Sequence, residues 1–226
     1  MHETPAFEAG RKDAGRGSLR VLLQHPRQIG FVVGLTVGGA VAFYTYTTYM
    51  QKFLVNSAGL TRDQGTLVSG IALLLFVCLA PPIGALSDRI GRKATLLIFA
   101  VLGTLCTVPL LTALGGTRDP WTAFVLLMAA LVILSFHTSI NAVVKAELFP
   151  SGVRVLGVGL PYAITTSLFG GTAEYIALWF KDSGHESRFY WYVTGCIAVS
   201  LVTFLFMPDT RSSPAMAAGA TANSAT

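Results

Sequence analysis

Only 12% of the 226 residues are charged and 53% are hydrophobic, whereas an ordinary soluble domain carries about 25% charged residues. This composition excludes a typical water-soluble domain and favours a membrane protein. The net charge of +5 could indicate a nucleic-acid partner, but the placement of the basic residues has a different explanation.

Six stretches of the chain are apolar and nearly free of Asp, Glu, Lys and Arg. A helix needs about 20 mostly apolar residues to cross ~30 Å of hydrocarbon. Strands of a membrane barrel would instead show ~10-residue segments of alternating polarity. We therefore predict an all-α membrane protein with six transmembrane helices, at residues 29–53, 65–86, 94–114, 121–144, 153–180 and 189–207.

The distribution of the basic residues along the chain indicates how the protein is oriented in the membrane. With residues 1–28 in the cytoplasm, eleven of the 16 Lys and Arg residues fall on the cytoplasmic side, as the positive-inside rule requires. We predict a multi-pass protein of the cell (inner) membrane with both termini in the cytoplasm, and no nucleic-acid partner. We divide the chain into a cytoplasmic N-terminal segment (1–28), a six-helix domain (29–208) and a disordered cytoplasmic tail (209–226).

The first span carries Gly30, Gly34 and Gly38 at four-residue spacing, which lets two helix backbones approach closely. The first three and the last three spans have similar lengths and would insert with opposite orientation. This arrangement is that of a 3+3 inverted repeat.

Residues 84–93 read GALSDRIGRK and join the second span to the third. The first glycine permits close helix approach, the acid can face a helix N-terminus, and the second glycine allows a sharp turn. The bases hold the loop on the cytoplasmic side. This loop resembles the signature loop of the major facilitator superfamily, which predicts functional roles for Gly84, Asp88, Arg89, Gly91, Arg92 and Lys93.

A closer resemblance follows from FYTYTTYMQKFLVNSAGL, KAELFPSGVRVLGVGLPYAITTSLFGGTAEYIALW and FYWYVTG. These segments resemble the α-ketoglutarate permease branch of the metabolite:proton symporters. The resemblance implies the C-terminal half of a proton-coupled dicarboxylate symporter, with 2-oxoglutarate as an example substrate. It also implies that a separate N-terminal half or a second copy is needed for transport. The alternatives are a non-transporting remnant, an interaction module, or a symporter half for another organic acid or an osmolyte.

Glu174 interrupts an apolar run in the fifth predicted span. A carboxylate in hydrocarbon is costly and is usually kept for a reason. We predict that Glu174 takes part in proton coupling, near the outer end of its span. The alternative is a structural acid that is hydrogen-bonded to a neighbouring helix or, across a subunit contact, to Tyr175.

Two further groups of polar residues are candidates for function. Hydroxyl, amide and imidazole groups suit a substrate cavity, although helix packing is an alternative for His137 and Tyr162. Tyr46 is in helical register with Gly39, on a face that suits a polar cavity. His137 stands where the permease resemblance implies a tyrosine. No Arg or Lys is placed deep within a predicted span, and Lys145 and Arg154, near the inner ends, are expected to snorkel or to pair with Glu147. The basic ligands for a dicarboxylate are expected from the absent half. The charged loop between the fourth and fifth spans suits an inner gate or a plain connector. The predicted cavity residues are Tyr46, His137, Asn141 and Tyr162, and the predicted gate residues are Lys145, Glu147 and Arg154.

The sequence contains no nucleophile paired with a base, no metal-ligand spacing and no phosphate-binding loop. We expect no enzyme activity, no cofactor and no metal. The expected partners are the lipid bilayer, a small organic acid and protons.

Overall fold

A computed structural model describes residues 24–149 and 154–207. Helices form throughout these ranges and no strand occurs within them. The helices are α1 (Pro26–Asn56), α2 (Arg62–Ile90), α3 (Arg92–Gly116), α4 (Pro120–Thr138), α5 (Asn141–Glu147), α6 (Arg154–Thr165), α7 (Ala173–Asp182) and α8 (Glu186–Phe206). The proposed terminal segments lie almost wholly outside the described residues, so the domain boundaries stay predictions.

Five continuous stretches are long and apolar enough to cross a membrane: α1, α2, α3, α4 together with α5, and α8. The fifth predicted span is interrupted rather than continuous. It consists of α6, a π-helical turn at Thr166–Gly170, and α7. Gly171 donates its N–H to the carbonyl of Thr166, five residues back, at 2.9 Å. Consecutive glycines explain the break, because glycine weakens a helix by about 1 kcal/mol relative to alanine.

Local signals define several helix ends. The Thr61 hydroxyl accepts from the Gln64 N–H at 3.3 Å, and the Gln64 side chain accepts from the Thr61 N–H at 3.0 Å, at the start of α2. Asp119 caps α4 in a similar way, accepting from the Thr122 N–H at 2.7 Å. Such caps satisfy N–H groups that have no partner within the helix.

The packing of the helices follows the predicted 3+3 repeat. α8 lies against α1 and α3, and α4 lies against α3 and α2, while α1 also packs on α6. The two triplets correspond helix by helix: α1 to α4, α2 to α6–α7, and α3 to α8. When each helix is exchanged for its counterpart, the same pairs of helices are in contact. The all-α fold predicted from the sequence is confirmed, and the fifth of the predicted spans is interrupted.

α1 and α8 approach most closely at the predicted small-residue positions. The Ser200 hydroxyl accepts from the Gly38 N–H at 3.0 Å and donates to the Gly34 carbonyl at 2.6 Å. Gly30 is different, because a Cβ added there would meet no atom within 4 Å. Two of the three glycines therefore form the helix contact.

α2 presents a broad apolar surface with no neighbour in the described structure. Leu67, Leu74 and Val77 are 63%, 71% and 69% exposed. An apolar surface of this extent is unsuited to water and is typical of a face that meets lipid or another protein segment.

Candidate functional site

A cavity of about 170 Å³ lies between α1, α4, α5 and α6. Its apolar wall comes from Gly39, Ala40 and Phe43 of α1. Its polar lining consists of Thr36, Tyr44, His137, Thr138, Asn141, Lys145, Tyr162 and Thr166. Three of the four predicted cavity residues, His137, Asn141 and Tyr162, are thus brought together.

Tyr46, the fourth predicted residue, does not line this cavity. It is 4% exposed, and its hydroxyl donates to the Thr107 hydroxyl of α3 at 3.0 Å. The expectation placed Tyr46 in regular helical register with Gly39. A π-helical turn at Tyr44–Tyr49 alters that register, because each π-type turn adds a residue to the helix. Tyr44 takes the position on the cavity wall instead.

Lys145 is the main departure from the sequence-based interpretation. Its side chain is buried, at 2% exposure, and its Nζ lies 4.2 Å from the centre of the Tyr162 ring. No hydrogen-bond partner for this Nζ occurs within the described ranges. Lys145 therefore neither extends to an exposed surface nor pairs with Glu147, and the prediction that it does one or the other is wrong. The spacing of His137, Asn141 and Lys145 at four-residue intervals could have placed the lysine on the cavity face.

His137 forms part of the cavity wall between two aromatic rings. Its ring centre is 4.8 Å from that of Phe99 and 6.4 Å from that of Phe204. A Cβ at Gly39 would lie 1.9 Å from Nε2 of His137. The imidazole can occupy this place only because α1 carries a glycine there.

Polar atoms without protein partners converge on the cavity. Within the described residues, His137 Nδ1, Asn141 Oδ1, Lys145 Nζ and Thr166 Oγ1 are buried and make no hydrogen bond. Buried polar groups are normally satisfied, because leaving one unpaired costs about 1–3 kcal/mol. Four such atoms around one cavity indicate a site that is built to receive a polar ligand or water.

The signature loop joins the ends of several helices. Gly91 links α2 to α3 with φ of 103°, a conformation that favours glycine, as the predicted turn requires. Arg92 forms an ion pair with Glu147 of α5. Lys93 donates to the carbonyls of Leu205 and Met207 at 3.1 and 2.7 Å, where a cation complements the C-terminus of α8.

The remaining residues of the signature loop and of the predicted gate differ in exposure and in partners. A Cβ at Gly84 would meet nothing within 4 Å, so the close approach predicted there does not occur within the described structure. Asp88 and Arg89 are exposed. The Arg154 side chain lies outside the described part. Glu147 pairs with Arg92 of the signature loop, and this pairing replaces the one predicted with Lys145.

Glu174 lies in the first turn of α7, at the end of the bundle opposite the signature loop. It forms an ion pair with Lys52 of α1, and the side chains are 30% and 52% exposed, respectively. Tyr175 is exposed and faces away from the core. A second contact lies at the same end, where Lys181 donates to the Ser57 hydroxyl at 2.6 Å and lies 3.8 Å from Glu186. These pairs connect α1 to α7 and α8.

Comparisons with known proteins agree with this architecture. The family described as "Sugar (and other) transporter" matches residues 6–219. Alpha-ketoglutarate permease of Escherichia coli K12 is 47% identical over 84% of this chain and 44% of its own length. The glycine betaine/proline/ectoine/pipecolic acid transporter OusA of Dickeya dadantii is 30% identical over 95% of this chain and 45% of its own. The shikimate transporter of E. coli K12 is 25% identical over 93% of this chain and 50% of its own.

The chain therefore spans about half the length of the curated relatives it matches. No solved structure matches it. The family match, at residues 6–219, includes every described helix. The resemblance inferred from the signature loop and the permease-like segments is confirmed. This chain is a multi-pass membrane protein that belongs to the sugar (and other) transporter family of the major facilitator superfamily.

Proposed function

We propose that this chain forms half of a proton-coupled symporter for dicarboxylates such as 2-oxoglutarate, with both termini on the cytoplasmic side of a bacterial inner membrane. The observation that carries the proposal is the 47% identity to an alpha-ketoglutarate permease. The osmolyte and shikimate transporters are only 30% and 25% identical. This difference favours the dicarboxylate over the other substrates.

The polar cavity supports a transport role. 2-Oxoglutarate, glycine betaine, proline and shikimate all carry a carboxylate, and the cavity contains a cation and several unpaired polar atoms. We assign His137, Asn141 and Tyr162 to the substrate-facing wall. Tyr46 would act indirectly, by fixing α1 against Thr107 of α3.

For transport, we expect this six-helix bundle to need a second six-helix bundle. In repeat-built transporters, alternating access comes from rocking one bundle against another around a site at their interface. We propose that a separate N-terminal half or a second copy of the chain supplies this partner. The exposed apolar face of α2 has the composition that such a contact or lipid would cover.

The pair Arg92–Glu147 is our proposal for the contact that holds the signature-loop end closed. It connects the loop between α2 and α3 to the end of α5, so its rupture would free the two elements to separate. Lys145 is left out of this gate because its ammonium lies at the cavity. Arg154 stays a predicted gate residue.

Glu174 is our candidate for the proton step. Its negative charge is matched by Lys52, and protonation would remove the ion pair that connects α7 to α1. Binding of a proton to Glu174 would thus be coupled to loss of the contact between α7 and α1. Glu174→Gln in the assembled transporter should abolish uptake driven by a pH gradient while exchange without a gradient persists.

Lys52→Gln is the matched control for Glu174→Gln. Both variants break the same ion pair, but only Glu174→Gln removes the titrating group. If the pair is merely structural, the two variants will have the same effect on uptake. Unchanged proton-driven accumulation in Glu174→Gln, at normal expression, would refute the coupling role.

The experiment for the proposed function is uptake of labelled 2-oxoglutarate into proteoliposomes across a pH gradient. The chain is tested alone and together with a candidate N-terminal half, with glycine betaine and shikimate as competing substrates. We expect uptake of 2-oxoglutarate only with the second half. Uptake by the chain alone would contradict the half-transporter proposal, and preference for betaine would favour an osmolyte symporter. No uptake with any half would favour a non-transporting remnant or an interaction module.

A further inference from the structure

We infer that Lys145 is the carboxylate-binding residue of the cavity and that the Tyr162 ring holds its ammonium in place when no substrate is bound. The inference rests on the proposed function for the identity of the substrate. It goes further by naming the group that recognises the substrate's charge and by assigning a single carboxylate contact to the described residues of the cavity.

The burial of Lys145 is the first argument. An ammonium removed from water is strongly destabilising unless it is paired. Lys145 is 2% exposed, and its nitrogen makes no hydrogen bond to any described residue. The Tyr162 ring at 4.2 Å offers a cation–π contact, which attracts the charge but leaves the N–H donors unused. The missing partner is therefore an acceptor.

The nearest acidic residue in sequence does not supply that acceptor. Glu147 is two residues away on the same short helix but forms its ion pair with Arg92. The acid is engaged by the signature loop, and Lys145 faces the cavity instead. Because Glu147 pairs with Arg92, the described part of the cavity wall keeps one positive charge, that of Lys145.

The surroundings of Lys145 suit a carboxylate. A carboxylate oxygen accepts hydrogen bonds, and the ammonium brings three donors and the Thr166 hydroxyl one more. His137 adds a buried ring nitrogen without a hydrogen bond, which donates in the tautomer that carries its proton there. The unpaired atom of Asn141 is its Oδ1, an acceptor that adds no donor for the carboxylate. Of the described residues that line the cavity, only Lys145 is a lysine or arginine. These residues can thus neutralise one carboxylate, and the second carboxylate of a dicarboxylate needs a cation from outside this lining.

The test measures ligand binding to the purified full chain in detergent. The probes are 2-oxoglutarate and its uncharged dimethyl ester, and the readouts are affinity and unfolding temperature. We expect the acid, but not the ester, to bind and to raise the unfolding temperature. Lys145→Gln should weaken acid binding by at least about 10-fold, the effect of losing one charge-assisted hydrogen bond.

Two further variants separate binding from folding and from net charge. Arg118→Gln removes an equal charge from an exposed position and should leave the affinity unchanged. Lys145→Gln should unfold, without ligand, at a temperature equal to or above that of the wild type, because it removes an unpaired buried charge. A lower unfolding temperature would mean that Lys145 is a structural cation and would overturn the inference.

Other outcomes also decide the inference. Equal affinity of Lys145→Gln and wild type, equal affinity for acid and ester, or no carboxylate binding by the wild type would each overturn it. A transport assay on the assembled protein separates the inference about Lys145 from the proposed function. Lys145-dependent binding without 2-oxoglutarate transport in the assembled protein would refute the function and retain the site. Normal transport by Lys145→Gln would retain the function and refute the site.

Discussion

The contact between α1 and α8 allows a graded test of the packing. In Gly38→Ala, the added Cβ would lie 2.6 Å from the Cys196 carbonyl oxygen and 2.7 Å from Ile197 Cα. Both are backbone atoms, which cannot rotate away. Since comfortable contacts are ~3.5 Å or longer, the two helices must separate by roughly 1 Å.

The expected cost of Gly38→Ala follows from that separation. Overpacking of a tight contact costs about 1–3 kcal/mol, and this site falls at the upper end because the obstructing atoms belong to the main chain. The intrinsic gain from replacing a helical glycine by alanine is at most about 1 kcal/mol. The net loss is therefore about 2 kcal/mol, which corresponds to roughly 4–8 °C in unfolding temperature for a chain of this size.

Two matched variants on the same helix complete the series. In Gly34→Ala, the three atoms nearest the added Cβ all belong to the Thr203 side chain, the closest at 2.1 Å, and a rotated Thr203 can relieve part of the clash. Gly30→Ala would meet nothing within 4 Å and should change stability by no more than about 0.5 kcal/mol or raise it. Thermal unfolding in one detergent should rank the losses Gly38, Gly34, Gly30. An unaffected Gly38→Ala, or a larger loss at Gly30 than at Gly38, would refute the packing argument.

Three other predictions concern the loops. Gly91→Ala should lower the free energy of unfolding by about 1–3 kcal/mol, because its φ of 103° is strained for alanine; an unchanged unfolding temperature would contradict this. Glu147→Gln should cost about 1.5–3 kcal/mol by leaving Arg92 unpaired, and the exchange of both residues (Arg92→Glu with Glu147→Arg) should restore most of the loss if the pair itself is responsible. The pKa of Asp119 is lowered by hydrogen bonds from the Thr122 hydroxyl and N–H. Its contribution to stability is therefore present above the unfolded-state value of 3.8 and lost as pH falls through the lower folded-state pKa. Unfolding temperatures of wild type and Asp119→Asn should converge over that acid range, and a constant difference would exclude the carboxylate as the cause.

Much of the architecture could be predicted because the responsible signals are local. Charge-free runs of about 20 residues are required by the thickness of hydrocarbon, so the helical spans follow from composition alone. The glycine in the turn of the signature loop and the four-residue spacing of Gly34 and Gly38 are likewise readable from the chain. The resemblance of the signature loop to a transporter superfamily depends on ten consecutive residues, 84–93, and is therefore also a local signal.

The candidate site could be predicted only in part, because the choice of partner is a long-range property. A π-helical turn took Tyr46 off the cavity face and put Tyr44 on it, and regular periodicity cannot foresee an added residue in a turn. Glu147 has Lys145 two positions away but pairs with Arg92, which lies 55 positions earlier in the chain. Glu174 likewise finds Lys52 across the bundle.

Hydropathy thus decided which segments of this chain enter the membrane, since that depends only on the solvent preference of each stretch. Tertiary packing decided which charges meet and which are left over, since ion pairs form between helices whose distance in space is unrelated to their separation along the chain. The unpaired ammonium of Lys145 beneath the Tyr162 ring is the clearest product of that second step.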